Sequence, residues 1–275
     1  ITHNLALPPG FRGDFGEALR WFKRIFRRDQ PDRKQLPQEA IGHLNVARLH
    51  LYRGEFDEAE PHLERSLELC QLYNLKPLRG EILEAYGNFY RDKEDFTHAA
   101  EYYERARKAY DEAEVNLATR ELDEERAKFY LMRGDAIKAR ALLENLLEAR
   151  QKLGNEILLE AVKLGLCRAR LAQGETDGLI EEVEAVLGFY HEQNLYYDEA
   201  AAALVLAQIY FALGERKKMF PPLQRTLDLT ARFDYEHWLR GEIRKNPQMF
   251  ADEEVLEKLP LDLRETAQQG MKDGG

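Results

Sequence analysis

The 275-residue chain has little that would tie it together covalently or hold it in a membrane. It contains two cysteines, Cys70 and Cys167. Two thiols cannot make a disulfide framework for a chain of this length, so reduced thiols and an intracellular, cytoplasmic setting are expected. No long hydrophobic run occurs. The most apolar stretch, "AAAALVLAQIYFALG" (200–214), is too short and too rich in alanine to span a bilayer, and no signal peptide is visible. Basic charge is in deficit, with 40 Lys and Arg against 50 Asp and Glu for a net charge of −10. That argues against non-specific nucleic-acid binding by the whole surface, because phosphate contacts need cations. The chain begins at Ile1 rather than Met, and the expectation is of a piece of a longer protein.

Chemical motifs are missing too. There is no phosphate-binding loop; "AQGETDG" (172–178) is a turn without the lysine. No nucleophile elbow and no Cys-x-x-Cys pair occurs. The seven histidines, His3, His43, His50, His62, His98, His191 and His237, form no paired-histidine metal motif. His43 and His50 are seven apart on one helix and read as packing or surface residues. Cys167 reads as a packed core thiol. The acidic clusters at 123–126 and 180–185 read as solvated helix faces rather than a catalytic carboxylate pair. No enzyme activity, cofactor or metal is expected.

What is present is repetition. "LYRGEFDEAE" (51–60) turns at Gly54, and the same skeleton returns at Glu94, Gly134, Gly174 and Gly214, forty residues apart each time, with Gly13 one residue off that spacing. Five residues after each hinge lie Ala18, Ala59, Ala99, Ala139, Leu179 and Met219. Seven before lie Ala47, Gly87, Ala127, Cys167 and Ala207, all small. Around each hinge apolar residues recur at three and four, the helical period. A further column, Asn74, Glu114, Gly154 and Asn194, marks where each second helix stops, with residue types that suit the left-handed helix-ending conformation. Each unit is therefore helix, turn, helix, cap. One pair cannot bury its own apolar face, so neighbours must stack. The fold class is all-α, an α-solenoid of antiparallel helix pairs. The array is placed at 1–230, with a C-terminal helical cap and polar tail at 231–275.

Small residue, aromatic, glycine, then aromatic and alanine beyond the hinge resembles the tetratricopeptide repeat over roughly residues 10–230. That resemblance implies a right-handed superhelix. The 40-residue period is longer than the usual 34 and is similar to the repeats of maltose-activator-type, ATP-dependent (STAND) bacterial transcriptional regulators and of kinesin light chains. In tetratricopeptide repeats the position six before the hinge faces the concave groove. Here it reads Arg48, Asn88, Lys128, Arg168 and Gln208, with Tyr52 and Arg91 close by. Such donors recognise carboxylate or phosphate. Two readings stand together: a groove for an anionic or polar ligand, or cations neutralised within the chain by Glu84 and Glu124.

Three further expectations concern irregular positions. Arg126, in a column otherwise Val, Tyr or Leu, either turns outward or pairs with a Glu from a neighbouring helix, since an unpaired buried charge is costly. Leu179 and Met219 suggest looser packing in the last two pairs. At the N-terminus "LALPPG" (5–10) opposes a helix, residues 14–28 form a lone helix, and "DQPDRKQLP" (29–37) is a connector. That helix carries Arg20, Lys23, Arg24, Arg27 and Arg28, a solvated face or a surface for a preceding domain or DNA phosphates. At the C-terminus Pro247 stops a helix at Asn246, a short helix follows at 251–259, and Trp238, Leu239, Ile243, Met249, Phe250, Val255 and Leu256 cap the array.

The functional expectation is a non-catalytic sensor or interaction domain. It binds a protein or peptide partner, or a small effector, in the groove and belongs to a bacterial transcriptional regulator. The alternative is a generic scaffold unrelated to transcription. A carboxylate-pair enzyme would instead need a closed toroid. Contacts with other domains of the parent chain and self-association are also open. Direct DNA binding by this segment and membrane insertion are not expected.

Overall fold

The computed structural model describes residues 10, 12–26 and 36–273. The expectations for "LALPPG" before Gly10, for most of the 29–37 connector, and for the side chains of Lys23, Arg24, Arg27 and Arg28 lie outside the described residues. Among the described residues no β-strand occurs. The helices are α1 (Phe15–Phe26), α2 (Leu36–Arg53), α3 (Phe56–Leu72), α4 (Lys76–Asp92), α5 (Phe96–Glu112), α6 (Asn116–Met132), α7 (Ala136–Leu153), α8 (Glu156–Ala172), α9 (Leu179–Gln193), α10 (Tyr196–Ala212), α11 (Arg216–Phe233), α12 (Glu236–Lys245), α13 (Pro247–Phe250), α14 (Glu253–Lys258) and α15 (Leu261–Asp273).

The turns explain why the helices break where they do. Gly54, Glu94, Gly134, Gly174 and Gly214 all take positive φ, between 62° and 80°. At each, the next residue donates its N–H back to the carbonyl five residues earlier: Glu55 to His50, Asp95 to Tyr90, Asp135 to Tyr130, Glu175 to Arg170 and Glu215 to Tyr210, at 2.8–3.0 Å. This is the Schellman closure, which satisfies helix-end carbonyls that would otherwise be orphaned. The caps of the second helices behave alike, with Asn74, Glu114, Gly154 and Asn194 all left-handed. Asp234, forty beyond Asn194, continues the column with φ 64°.

Two compact units result, Ile1–Gly10 with Glu17–Glu175, and Phe11–Gly16 with Thr176–Gly275. In the first, α2/α3, α4/α5 and α6/α7 are paired neighbours, α7 packs on α8, and the first helices α2, α4, α6 and α8 touch in succession. The small column does the work expected of it. Ala59, Ala99 and Ala139 are fully buried, and so are Leu63, Tyr103 and Leu143 four positions further on. Gly87 on α4 lies so close to α5 that a Cβ there would sit 2.5 Å from the Tyr103 ring. Each buried leucine stabilises by about 1.5–3 kcal/mol. Arg126 resolves to the paired reading: Nη2 lies 3.2 Å from Glu104 of α5 and Nη1 3.3 Å from Asp123.

In the second unit α10 packs on α9 and α11, and α12 on α11 and α15. Leu179 and Met219 are both fully buried. The N-terminal hinge docks here: Tyr196 N–H donates to the Arg12 carbonyl and Tyr235 Oη to the Gly13 carbonyl, both at 2.8 Å. Of the expected cap contacts, Leu239, Ile243, Met249, Phe250 and Val255 are buried, with Trp238 and Leu256 partly so. The tail differs from expectation. It is helical over Leu261–Asp273, because Leu263 and Ala267, four apart, bury completely and Arg240 ties to Asp262 and Thr266.

Candidate partner-binding groove

In the first unit α2, α4 and α6 carry the expected donors Arg48, Asn88, Arg91 and Lys128. They also carry an equal weight of carboxylates. Arg48 Nη1 lies 3.3 Å from Glu81 Oε2, and Nη2 lies 3.8 Å from Glu84 Oε1. Arg91 donates from Nε to Asp92 Oδ1 at 2.7 Å, and from Nη1 to Glu125 Oε2 at 2.6 Å and to Asn88 Oδ1 at 3.2 Å. Lys128 donates to Glu125 Oε1 at 2.7 Å and lies 3.5 Å from Glu124. Glu125 thus accepts from α4 and from its own helix, linking first helices of successive repeats. Tyr52 is exposed on α2, and its phenol acts on both Arg48 and Lys128. Arg168 lies half-buried on α8. Gln208 lies on α10 of the second unit.

The geometry reads out in the electrostatics. Burial alone would push the Glu125 carboxyl up, but Lys128 and Arg91 hold it at about 2. Glu84 goes the other way. Its burial, reinforced by Glu125 and Glu121, outweighs Arg48 and lifts it to about 7. Burial also works against the charges of Arg48, Arg91 and Lys128, yet the neighbouring carboxylates outweigh it and raise all three.

A second layer lies beneath. Tyr110 Oη donates to Glu84 at 2.9 Å, and Tyr103 Oη to Asn88 at 2.7 Å. Arg150 of α7 is completely buried, its guanidinium 3.7 Å from Glu124 and without a hydrogen bond. Tyr110 and Arg150 are absent from the residues that the sequence singled out for the groove. The signal was the register: sixteen after each hinge stand Cys70, Tyr110, Arg150, Tyr190 and Thr230, and ten before stand Leu44, Glu84, Glu124, Leu164 and Leu204. The two acids therefore face Tyr110 and Arg150 of the other column, Glu84 the first and Glu124 the second.

The arrangement can exchange ion pairs. Cys70 and Cys167 are buried and form no disulfide, and burial pushes the Cys70 thiol up. Among the described residues no group of three or more His, Cys, Asp and Glu side chains is placed to hold a metal ion. Among them, too, no helix is long and apolar enough to cross a membrane.

Comparison with known proteins places this architecture. The family described as the MalT-like TPR region matches residues 11–237. Among curated proteins none matches the chain in sequence. A Rap protein complexed with Competence and Sporulation Factor superposes with a TM-score of 0.67 at 11% identity, covering 99% of this chain and 77% of its own. A STAND protein with a tetratricopeptide-repeat sensor, from Pyrococcus horikoshii, gives 0.59 at 15% identity, covering 94% of this chain and 37% of its own. Kinesin light chain TPR-like repeats from Podosopora anserina give 0.50 at 20% identity, covering 72% of this chain and 97% of their own. At these identities the likeness is one of fold.

Proposed function

The chain belongs to the MalT-like TPR region family, and from that premise we propose that it is the partner- or effector-sensing part of a bacterial transcriptional regulator of the ATP-dependent signal-transduction class. The groove on α2, α4, α6 and α8 takes a polar polypeptide segment or small effector. Family membership and the STAND relative, whose repeats are described as a sensor, support the regulatory half of this reading. The Rap complex with its factor supports capture of a ligand by such a fold.

One observation carries the groove. The ion-pair network is graded in exposure: Arg48, Glu81 and Lys128 have side chains 31%, 43% and 49% exposed, whereas those of Arg91, Glu84 and Arg150 are at 12%, 10% and 0%. The buried members fix the helices. The outer members reach solvent, where exposed pairs are worth little and are readily exchanged. A ligand carboxylate takes Arg48 from Glu81 or Lys128 from Glu124. A ligand amine or guanidinium then takes the carboxylate released. The site thus selects a ligand bearing both signs, with Tyr52 as its apolar wall.

The test is a thermal-shift screen at low and moderate salt against acidic and mixed-charge peptides, oligosaccharides, nucleotides and duplex DNA, because a ligand of the folded state raises the melting temperature with concentration. The expected result is a shift from mixed-charge peptides that the Arg48→Ala, Lys128→Ala, Arg168→Ala triple variant loses while remaining helical. Binding that survives in that variant removes the groove as the site. In the parent chain the triple variant should abolish transcriptional response in a reporter assay.

A further inference from the structure

Three histidines that the groove does not use meet between α2 and α3. His43 Nδ1 and His62 Nδ1 are 2.7 Å apart, their ring centroids 4.9 Å apart. The His50 ring stacks on His62 at 5.9 Å with 24° between planes. His50 Nδ1 is 2.6 Å from Glu55 Oε2, which holds its proton on that nitrogen, and Glu55 also accepts from Arg53 at 2.8 Å.

The repeat does not require these imidazoles. One repeat later the positions of His50 and His62 are held by Tyr90 and Tyr102, stacked at 5.3 Å and 21°. The position of His43 is Leu83, then Asp123, Lys163 and Ala203. Two flat rings satisfy the packing. What histidine adds is a proton that comes and goes in the mildly acidic range.

We propose that the α2–α3 pair is an acid-responsive element, opened when the His43–His62 contact, which can hold one proton between its two nitrogens, is asked to hold two. With one proton the contact is a hydrogen bond. With both imidazoles fully protonated, a pair of N–H donors and two positive charges face each other at 2.7 Å. The charged groups around the contact pull in both directions. On α2, Glu39 Oε1 lies 3.9 Å from His43 Nε2 but is shared with Arg65 of α3 at 3.4 Å. On α3, Glu58 acts on His62, while Arg65 repels a charged His43. In the turn, Glu55 is engaged by His50 and Arg53.

Burial first, then His62 and Arg65, hold His43 down to about 4, and burial and His50 lower His62. A histidine depressed in the fold contributes stability that is complete above its unfolded value of 6.5 and is lost as pH falls through about 4. Acidification therefore loosens α2, which carries Arg48 and Tyr52, before it disturbs helices without such a cluster.

Amide hydrogen exchange at pH 7 and 4.5, corrected for intrinsic rates, tests this on the intact chain, with a His43→Leu, His62→Tyr variant that installs the next repeat's residues. In the wild type, protection over Leu36–Leu72 should fall more than about tenfold relative to α10 and α11 on acidification, and in the variant the two regions should stay within about twofold of each other. Equal loss in wild type and variant overturns the proposal, as does a loss spread evenly over both regions. If the variant does not fold, proton NMR of the wild-type imidazoles decides: independent titration of His43 and His62 near 6.5 overturns the element, and depressed, coupled titration supports it.

Discussion

Tyr110 donates its phenolic hydrogen to Glu84 at 2.9 Å, and forty residues on the same two places are taken by Arg150 and Glu124, 3.7 Å apart. One repeat satisfies a first-helix carboxylate with a neutral donor, the next with a buried cation. The second solution is the more fragile. Removing one partner of a buried pair leaves an uncompensated charge, so Glu124→Ala should lower stability in urea by roughly 3–5 kcal/mol. Arg150→Tyr copies the preceding repeat and should leave the urea midpoint unchanged or raised. A fall as large as that of Glu124→Ala would show that the guanidinium, rather than a donor, is needed there.

Glu84 gives the fold an unusual dependence on pH. Its folded carboxyl stands at about 7 against an ordinary 4.5, because burial disfavours the charge more than Arg48 restores it. A carboxyl raised in this way is protonated in the fold while the unfolded chain has already ionised it. Stability therefore declines as pH rises from 4.5 through about 7, by up to about 3 kcal/mol, and is level above. Glu125, held at about 2, acts at the other end, losing its contribution as pH falls from 4.5 through about 2. Glu84→Gln should flatten the decline between pH 5 and 8 in urea titrations. A decline unchanged in that variant would place its origin elsewhere.

Gly87 marks a close contact between α4 and α5. A Cβ there would stand 2.5 Å from the Tyr103 ring, which cannot easily withdraw because its hydroxyl bonds Asn88. Gly87→Ala should cost about 1–3 kcal/mol by overpacking, despite the gain in helix propensity. Tyr103→Leu, the residue type at Leu63 and Leu143, should recover part of that loss. The double-mutant cycle checks this through a coupling energy of opposite sign to the single losses.

Gly134 isolates the backbone contribution. Its φ is 78° and a Cβ would meet nothing within 4 Å, so any cost of substitution comes from the left-handed conformation alone. Gly134→Val should lower stability by at least about 1–2 kcal/mol. Gly134→Asn should cost only tenths, since Glu94 already occupies the equivalent turn at φ 62°. Equal thermal midpoints for the two variants would contradict the turn assignment.

These contrasts also mark what the sequence could convey. A left-handed turn writes itself in Gly and Asn, and a close helix contact in Ala and Gly, so the hinges, caps and pairing were legible. Glu94 and Glu114 were legible only through the forty-residue register. The cations Arg48, Arg91 and Lys128 were visible one at a time, but the partners Glu81 and Glu125 stand 33 and 34 residues from Arg48 and Arg91, one repeat further along. Pairing across that distance depends on how the first helices stack, and helical periodicity within one helix does not encode it. Arg150 was hidden because buried arginine is rare and its column elsewhere holds Tyr, Thr or Cys. The terminal helix was hidden because "LDLRETAQQGMKD" offers few apolar positions to read as a face.

That terminal helix supplies the last prediction. α15 is largely polar, and its place rests on few anchors. Leu263 and Ala267 are fully buried, Arg240 Nη2 reaches Asp262 at 2.7 Å, and Arg264 donates to the carbonyls of Leu259 and Glu257. Ending the chain after Pro260 removes those anchors and exposes the surfaces of α12 and α13 that α15 covers. A buried leucine and alanine with one exposed ion pair together stabilise by about 2–4 kcal/mol. The truncated protein should therefore show earlier thermal unfolding and faster proteolysis within α12–α14, with α2–α7 protected as before. A truncated chain as resistant as the full one would mean that α13 and α14 suffice to close the second unit, leaving α15 free to serve a contact beyond it.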